Sequence, residues 1–241
     1  MPGIVEFPSL VQNAIKRFGH LFANEPERVH FGECLTGLLV ASRKTVTSIN
    51  AEFAMTTDRS CLNRWITQVG WDPERLNGAR LAWHQKATST RYSRQGVIAI
   101  DNVLIDHDGK CIEDVGWFWD HADKKNKIAH DYLIANYVCT SGTQTFHPDG
   151  KQHLGLGDCQ LRSGEGQTRH MYPVILAHSL LVAELRQGCA RESARNVAAT
   201  IGEACRSSLR EVLSKTIAWA IDRATNHNWD HERITAILAL S

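Results

Sequence analysis

The period of the apolar residues changes twice along this chain, and those two changes constrain the fold more than any other feature. Between residues 96 and 141 the sequence reads GVIAIDNVLID, then CIEDVGWFWDH, then HDYLIANYVCT. These runs are rich in Val, Ile, Tyr and Trp. They are bounded by Asp108-Gly109-Lys110 and by Asp123-Lys124-Lys125, residue types that make turns. Three strands joined by connections this short are expected to pair antiparallel as a meander. On either side of them the apolar period is that of helices, so the expected class is α+β.

Before the strands, Leu10, Val11, Ile15 and Phe18 fall at helical spacing. Cys34, Leu35, Leu38, Leu39 and Val40 form a second apolar face, which Arg43-Lys44-Thr45 interrupts and Val46, Ile49 and Phe53 resume. A third helix is expected from Cys61 to about Val69, with Leu62, Trp65 and Ile66 inward. Asp72 and Pro73 suit the cap and first position of a helix reaching about Lys86. Residues 87–95 read as a linker. After the strands, residues 141–170 contain six glycines and read as a loop. Pro173 is expected to open a helix through Leu185. A longer amphipathic helix is expected from about Glu192, carrying Val197, Ile201, Cys205, Leu209, Leu213 and Ile217, and a last one from Asp230 to about Leu240. The chain thus divides into a helical region, 1–90, and a strand region with its C-terminal helices, 96–241.

A net charge of +1 gives no global basic field, so any nucleic-acid binding must come from local patches. Seven scattered cysteines without a CxxC pair, behind a start that lacks the form of a signal peptide, suggest reduced thiols in an intracellular protein. His147, His153 and Cys159 lack the compact spacing of a zinc site and are expected to be ordinary loop residues. No apolar run approaches the ~20 residues of a membrane span.

Three segments carry a resemblance to a family. FGECLTGLLVASRKTVTSIN (31–50) is followed by LNRWITQVGWDPERL (62–76). The first strand holds Ile100-Asp101-Asn102-Val103. KQHLGLGDCQLRS (151–163) leads into RHMYPVILAHSLL (169–181). In this order the segments resemble the DDE transposases of bacterial insertion sequences, whose nuclease domain is RNase H-like. The resemblance implies an N-terminal helical region that contacts transposon-end DNA, a β-meander with the first catalytic acid on its first strand, and C-terminal helices. By this resemblance Asp101 is the catalytic acid and metal ligand. The cofactor implied is Mg²⁺ or Mn²⁺, because two such ions held by three carboxylates drive the in-line displacement. DNA is the implied partner, with a second copy or a full-length transposase beside it, in the cytoplasm and at the nucleoid.

The departure from the family concerns its remaining acids. The family places a helix and a further strand carrying the second Asp after the meander, and then a helix with the catalytic Glu in a Tyr-x₂-Arg-x₃-Glu-x₆-Lys pattern. Here about ten residues separate the end of the third run from Lys151, and at ~3.3 Å per strand residue and ~1.5 Å per helical residue they cannot build those elements. If Lys151 is the pattern's Lys, Gln144 stands at the Glu position, Thr140 at the Arg position and Tyr137 at the Tyr position. The expectation is an internally deleted, truncated RNase H-like domain whose catalysis is impaired by loss of the second Asp and the Glu, with a sheet edge left unpaired. The alternative is a non-catalytic DNA-binding or dimerising remnant that inhibits the full-length transposase.

Other residues carry a chemical reading beside a plainer one. Arg43, Lys44 and Thr45, with Ser48, resemble a DNA-contacting turn and helix start. Arg64 repeats the idea, as do Arg75 and Arg80 more weakly. Arg162, Arg169 and His170 are candidates for phosphates near the acidic strand. Asp106, Asp108, Glu113 and Asp114 read as turn or strand-edge acids. Glu165, between two glycines, reads as a loop residue unsuited to replace the lost Glu. Trp117-Phe118-Trp119 could stack on bases, but filling the space between sheet and helices is the expected role. His178 is expected to be a semi-buried, hydrogen-bonded histidine.

Overall fold

A computed structural model describes residues 3–54, 59–86, 90–92, 94–107, 111–138, 146–190 and 200–238. The expected turn at Asp108-Gly109-Lys110, the positions of Thr140 and Gln144, and the expected helix start near Glu192 lie outside them.

The sequence FGECLTGLLV explains the centre of the molecule. It forms the second half of α2 (Glu25–Val40), and all ten of its residues are buried. A helix apolar all round must be enclosed by others. Around α2 lie α1 (Ser9–Phe18), α3 (Val46–Ala51), α4 (Arg59–Thr67), α7 (Gly164–Ala190) and α8 (Ile201–Asn226). α5 (Pro73–Lys86) and α6 (Phe146–His153) pack on α7, and α9 (His231–Leu238) on the far part of α8. Gly37 permits one close approach, because a Cβ there would land on the Ile49 side chain. Trp65 and Trp71 stack at 5.0 Å beside Phe22 and Phe31. Asp72 caps α5 as expected, accepting from the Glu74 N–H at 2.9 Å.

The strands are β1 (Val97–Asp106), β2 (Gly116–Asp120) and β3 (Lys125–Val138). All three runs contribute a strand, but the meander order is corrected: the sheet order is β1-β3-β2, with the long β3 in the centre. β1 pairs with its second part, from Val97↔Val138 to Asp106↔Ala129, and β2 with its first part, from Gly116↔Ala129 to Asp120↔Lys125. The reason lies in residues 111–115. Glu113 donates its N–H to the Arg162 carbonyl at 2.9 Å, and its carboxylate accepts from the Gly164 N–H at 3.0 Å. Asp114 adopts φ 60°. The segment is thus tied to the start of α7 and cannot pair with β1.

Among the described residues the sheet meets the helices at its base, with Val103, Ile105, Ala129 and His130 buried and Tyr132 and Ile134 partly buried against the core. From Val97 to Asn102, β1 is exposed throughout. Trp117 and Trp119 are 74% and 51% exposed, so they do not fill the space between sheet and helices.

Residues 141–170 are also corrected. α6 occupies part of the expected loop, and α7 begins at Gly164, with Pro173 inside it and not at its start. Ser163 opens α7, its hydroxyl accepting from the Gly166 N–H at 3.1 Å. Glu165 lies in that first turn, where a carboxylate suits the helix dipole. Farther on, Thr200 and Glu203 form a capping box that starts α8.

Candidate functional site

Asp101 sits on the exposed part of β1, opposite Ile134. Because strand residues alternate between faces, its neighbours on the same face of β1 are Ala99 and Val103. The cross-strand partners on that face are Asn136, Ile134 and Tyr132. Asp101 is the one carboxylate of this constellation. Two divalent ions a few ångströms apart need several hard oxygen ligands around them, and this donor set does not fit such a pair. Among the described residues no group of three or more His, Cys, Asp or Glu is arranged to hold a metal ion.

The nearest concentration of acids in the sheet is on its other face. Lys127 Nζ lies 2.7 Å from carboxylate oxygens of Asp106, Asp120 and Asp123. Hydrogen bonds to this ammonium, helped by backbone N–H groups, pull Asp120 down to about 2; the same ammonium lowers Asp123, and the three carboxylates push Lys127 up. Sequence reasoning treated Asp106 as an edge acid and did not single out Lys127. Asp120 and Asp123 lie three residues apart at the β2–β3 turn, and Asp106 joins them because β1 and β2 both pair with β3.

The residues expected at phosphates divide into two sets. Lys44, Arg169 and His170 are buried. Lys44 Nζ donates to the carbonyls of Ala41 at 2.7 Å and Gly37 at 3.4 Å, closing the C-terminal end of α2. Burial drops its ammonium to about 8. The Lys44 backbone N–H donates to Asp158 at 3.1 Å. His170 approaches the Gly155 carbonyl at 3.5 Å, and desolvation lowers its imidazole below the ordinary value. The segments 31–50, 151–163 and 169–181 therefore meet in one internal knot around Lys44, Gly155, Asp158 and His170. Arg169 bridges Glu165 at 2.7 Å, donates to the Ile66 carbonyl at 3.4 Å, and lies over the Trp71 ring at 5.8 Å.

Arg43, Arg64 and Arg162 are exposed. Thr45 is half-buried and caps α3, accepting from the Ser48 N–H at 3.1 Å. Arg80 turns inward, donating to Asn77 and to Ser179 at 3.1 Å, and burial lowers its guanidinium from the usual value. His178 is buried edge-to-face against Phe146 and lies 3.6 Å from the Asp149 carboxylate.

A histidine pair at the base of the sheet was missed. His130 Nδ1 lies 2.7 Å from His107 Nε2, and His130 Nε2 donates to the Glu113 carbonyl at 2.8 Å. A carbonyl only accepts, so Nε2 carries the proton. The pair joins β1, β3 and the 111–115 segment. No local signal could have found it, since the two residues are brought together by the β1–β3 register.

Among known proteins, the model of a family described as DDE superfamily endonuclease matches residues 17–151. The matched span takes in α2 to α5, the whole sheet and the chain as far as Lys151. No curated protein and no solved structure matches. The family match covers more than half of the chain, and the chain belongs to the DDE superfamily endonucleases. Nucleases of this type act on DNA and generally use divalent metal ions. Among the described residues no helix is long and apolar enough to cross a membrane.

Proposed function

We propose that this DDE superfamily endonuclease is a shortened relative of the insertion-sequence transposases that retains DNA binding and lacks strand cleavage. One observation carries the reading. Between Val138, the end of β3, and Phe146, the start of α6, lie residues 139–145, seven in all. A further strand placed parallel to β1 on its other edge needs a crossover of about a dozen residues or more, and a helix for the catalytic Glu needs still more chain. The three-stranded sheet then holds Asp101 as the remnant of a metal site, with no partner acid among the described residues to complete the Mg²⁺ or Mn²⁺ pair. Binding to element ends is assigned to the exposed Arg43, Arg64 and Arg162, whose guanidinium groups suit phosphates. Lys44, Arg169 and His170 serve the fold.

The test is fluorescence anisotropy with DNA carrying the element's ends, titrated at several salt concentrations in EDTA. The reading expects binding without divalent ions, with affinity falling steeply as salt rises. Affinity that does not change with salt, or binding that appears only with Mn²⁺, would overturn it. A second reading is inhibition of a full-length transposase by co-assembly, favoured by the free edge of β1. It predicts that adding this chain to the full-length enzyme lowers strand transfer even on excess DNA.

A further inference from the structure

We propose that the free edge of β1 pairs antiparallel with β1 of a second copy of this chain, about a twofold axis at Ala99. Among the described residues β1 hydrogen-bonds to β3 on one side and is the outer strand of the sheet. The bond from the His107 N–H to the Ile128 carbonyl, 2.9 Å long, sets the alternation. Odd-numbered residues of β1 aim their backbone groups at β3, and even-numbered ones aim theirs at the open edge. At Leu104 the edge is already used, because Lys151 Nζ donates to its carbonyl at 3.1 Å. The outward groups of Ile98, Ile100 and Asn102, and of Gly96 before them, form the open stretch.

This stretch has no proline or lysine, and its one charge, Asp101, comes after the apolar run Val97–Ile100 on the face shared with Val103. Val97, Ile98 and Ile100 are 65%, 64% and 64% exposed. From Val97 to Ile100 the strand is apolar on both faces and open along its backbone, which makes it a template for another strand.

The register follows from three constraints. Only even residues can exchange bonds across the new edge. The pairing must stay upstream of Leu104, and Asp101 must not oppose its own copy, since like charges directly opposite repel. A twofold axis at Ala99 satisfies all three and centres the open stretch Gly96–Asn102, so each of its outward groups finds a partner. It sets Ile98 opposite the partner copy's Ile100 as a hydrogen-bonded pair, Gly96 opposite Asn102, and Asp101 opposite Val97. An axis at Ile100 needs the capped Leu104, and one at Asp101 opposes the two carboxylates. Charge favours the same arrangement. The flank before β1 carries Arg91 and Arg94, both exposed, and the far end carries Asp101 and Asp106. Antiparallel pairing brings the basic flank of each copy to the acidic end of the other.

Sedimentation velocity over a hundredfold concentration range tests the proposal, with Ile100→Pro, Ile98→Lys and Leu133→Lys beside the parent. Ile100 points its N–H at the open edge, so proline there removes an intermolecular donor and leaves the β1–β3 ladder intact. The parent is expected to show a concentration-dependent dimer. Ile100→Pro and Ile98→Lys should each weaken it tenfold or more, with unchanged far-ultraviolet circular dichroism. Leu133, 74% exposed on β3 and across the ladder from the open edge of β1, should change it less than threefold when replaced by Lys. The axis is tested by Ala99→Cys. Residues opposite each other in a non-hydrogen-bonded pair have Cα atoms about 4.5 Å apart, within disulfide reach. Mild oxidation should therefore link Ala99→Cys dimers faster than the parent, whose own thiols supply the background. A parent that is monomeric throughout, edge variants that associate like the parent, or a dimer broken by Leu133→Lys alone would each overturn the proposal. The last result would mean stacking of sheet faces instead.

Discussion

Replacing Lys44 with Met separates the internal role of this residue from a role at phosphate. In the folded chain the ammonium is closed in beneath α2 and drops from 10.5 to about 8 because burial disfavours its charge. At roughly 1.4 kcal/mol for each tenfold change in a protonation equilibrium, the displacement corresponds to about 3 kcal/mol. Its direction fixes the pH dependence. Below pH 8 the side chain is charged in both folded and unfolded chains, and folding carries the whole desolvation penalty. Between about 8 and 10.5 the folded chain has released the proton while the unfolded chain still holds it, so stability rises with pH. Above that range both forms are neutral and the penalty is gone. Met keeps the bulk of the stem and has no proton to lose. The assay is guanidinium unfolding of the parent and Lys44→Met at intervals from pH 7 to 10.5. The stability of the parent relative to the variant should increase by about 3 kcal/mol across that range. Unfolded-state cysteines titrate alike in both proteins and cancel. Cys205, pushed up to about 11 chiefly by burial, ionises at the upper end. A flat difference would refute the burial of this ammonium and restore Lys44 as a surface cation. In DNA titrations the same variant should leave the salt dependence of binding unchanged.

Further outcomes follow from the same geometry. Arg43→Ala, Arg64→Ala and Arg162→Ala should each lower the slope of log affinity against log salt by about 1 per lost phosphate contact, uniformly across DNA sequences. Gly155→Ala should destabilise by ~1–3 kcal/mol in denaturant, because its φ of 69° disfavours any side chain and the added Cβ would land on Lys44. Thr200→Ala should cost about 1 kcal/mol of stability. It removes the acceptor for the Glu203 N–H, 3.2 Å away, that starts α8.

What sequence could and could not disclose divides along the range of the interactions. α1 to α5 and the Asp72 cap rest on local periodicity and local hydrogen bonds, and they form where residues 8–86 place them. β1 likewise follows from its own run, with Asp101 on it. The order of the strands did not follow. WFWDH signals a strand, but nothing near it tells that Glu113 will bind the start of α7 and leave β1 to pair with β3. Glycines at 164 and 166 hid the first turn of α7, whose stability comes from the Ser163 cap and the Glu165–Arg169 bridge. Lys44, Arg169 and His170 read as surface cations because charged residues are usually exposed. Apart from Ala41 and Gly37, their carbonyl and ring partners lie on other segments of the chain. For Asp101 the spacing argument was more informative than any motif. The seven residues between β3 and α6 limit what can stand beside it, whatever their conformation.

The central claim is that this endonuclease relative binds DNA and does not cut it. The direct measurement is nicking of DNA carrying the element's ends, in Mn²⁺ and in EDTA, with Asp101→Ala beside the parent and gel shifts from the same tubes. The account predicts shifted DNA in every lane and no nicks in any. Nicking that requires Mn²⁺ and disappears in Asp101→Ala would contradict it, and would mean that other carboxylates join Asp101 to rebuild a metal site.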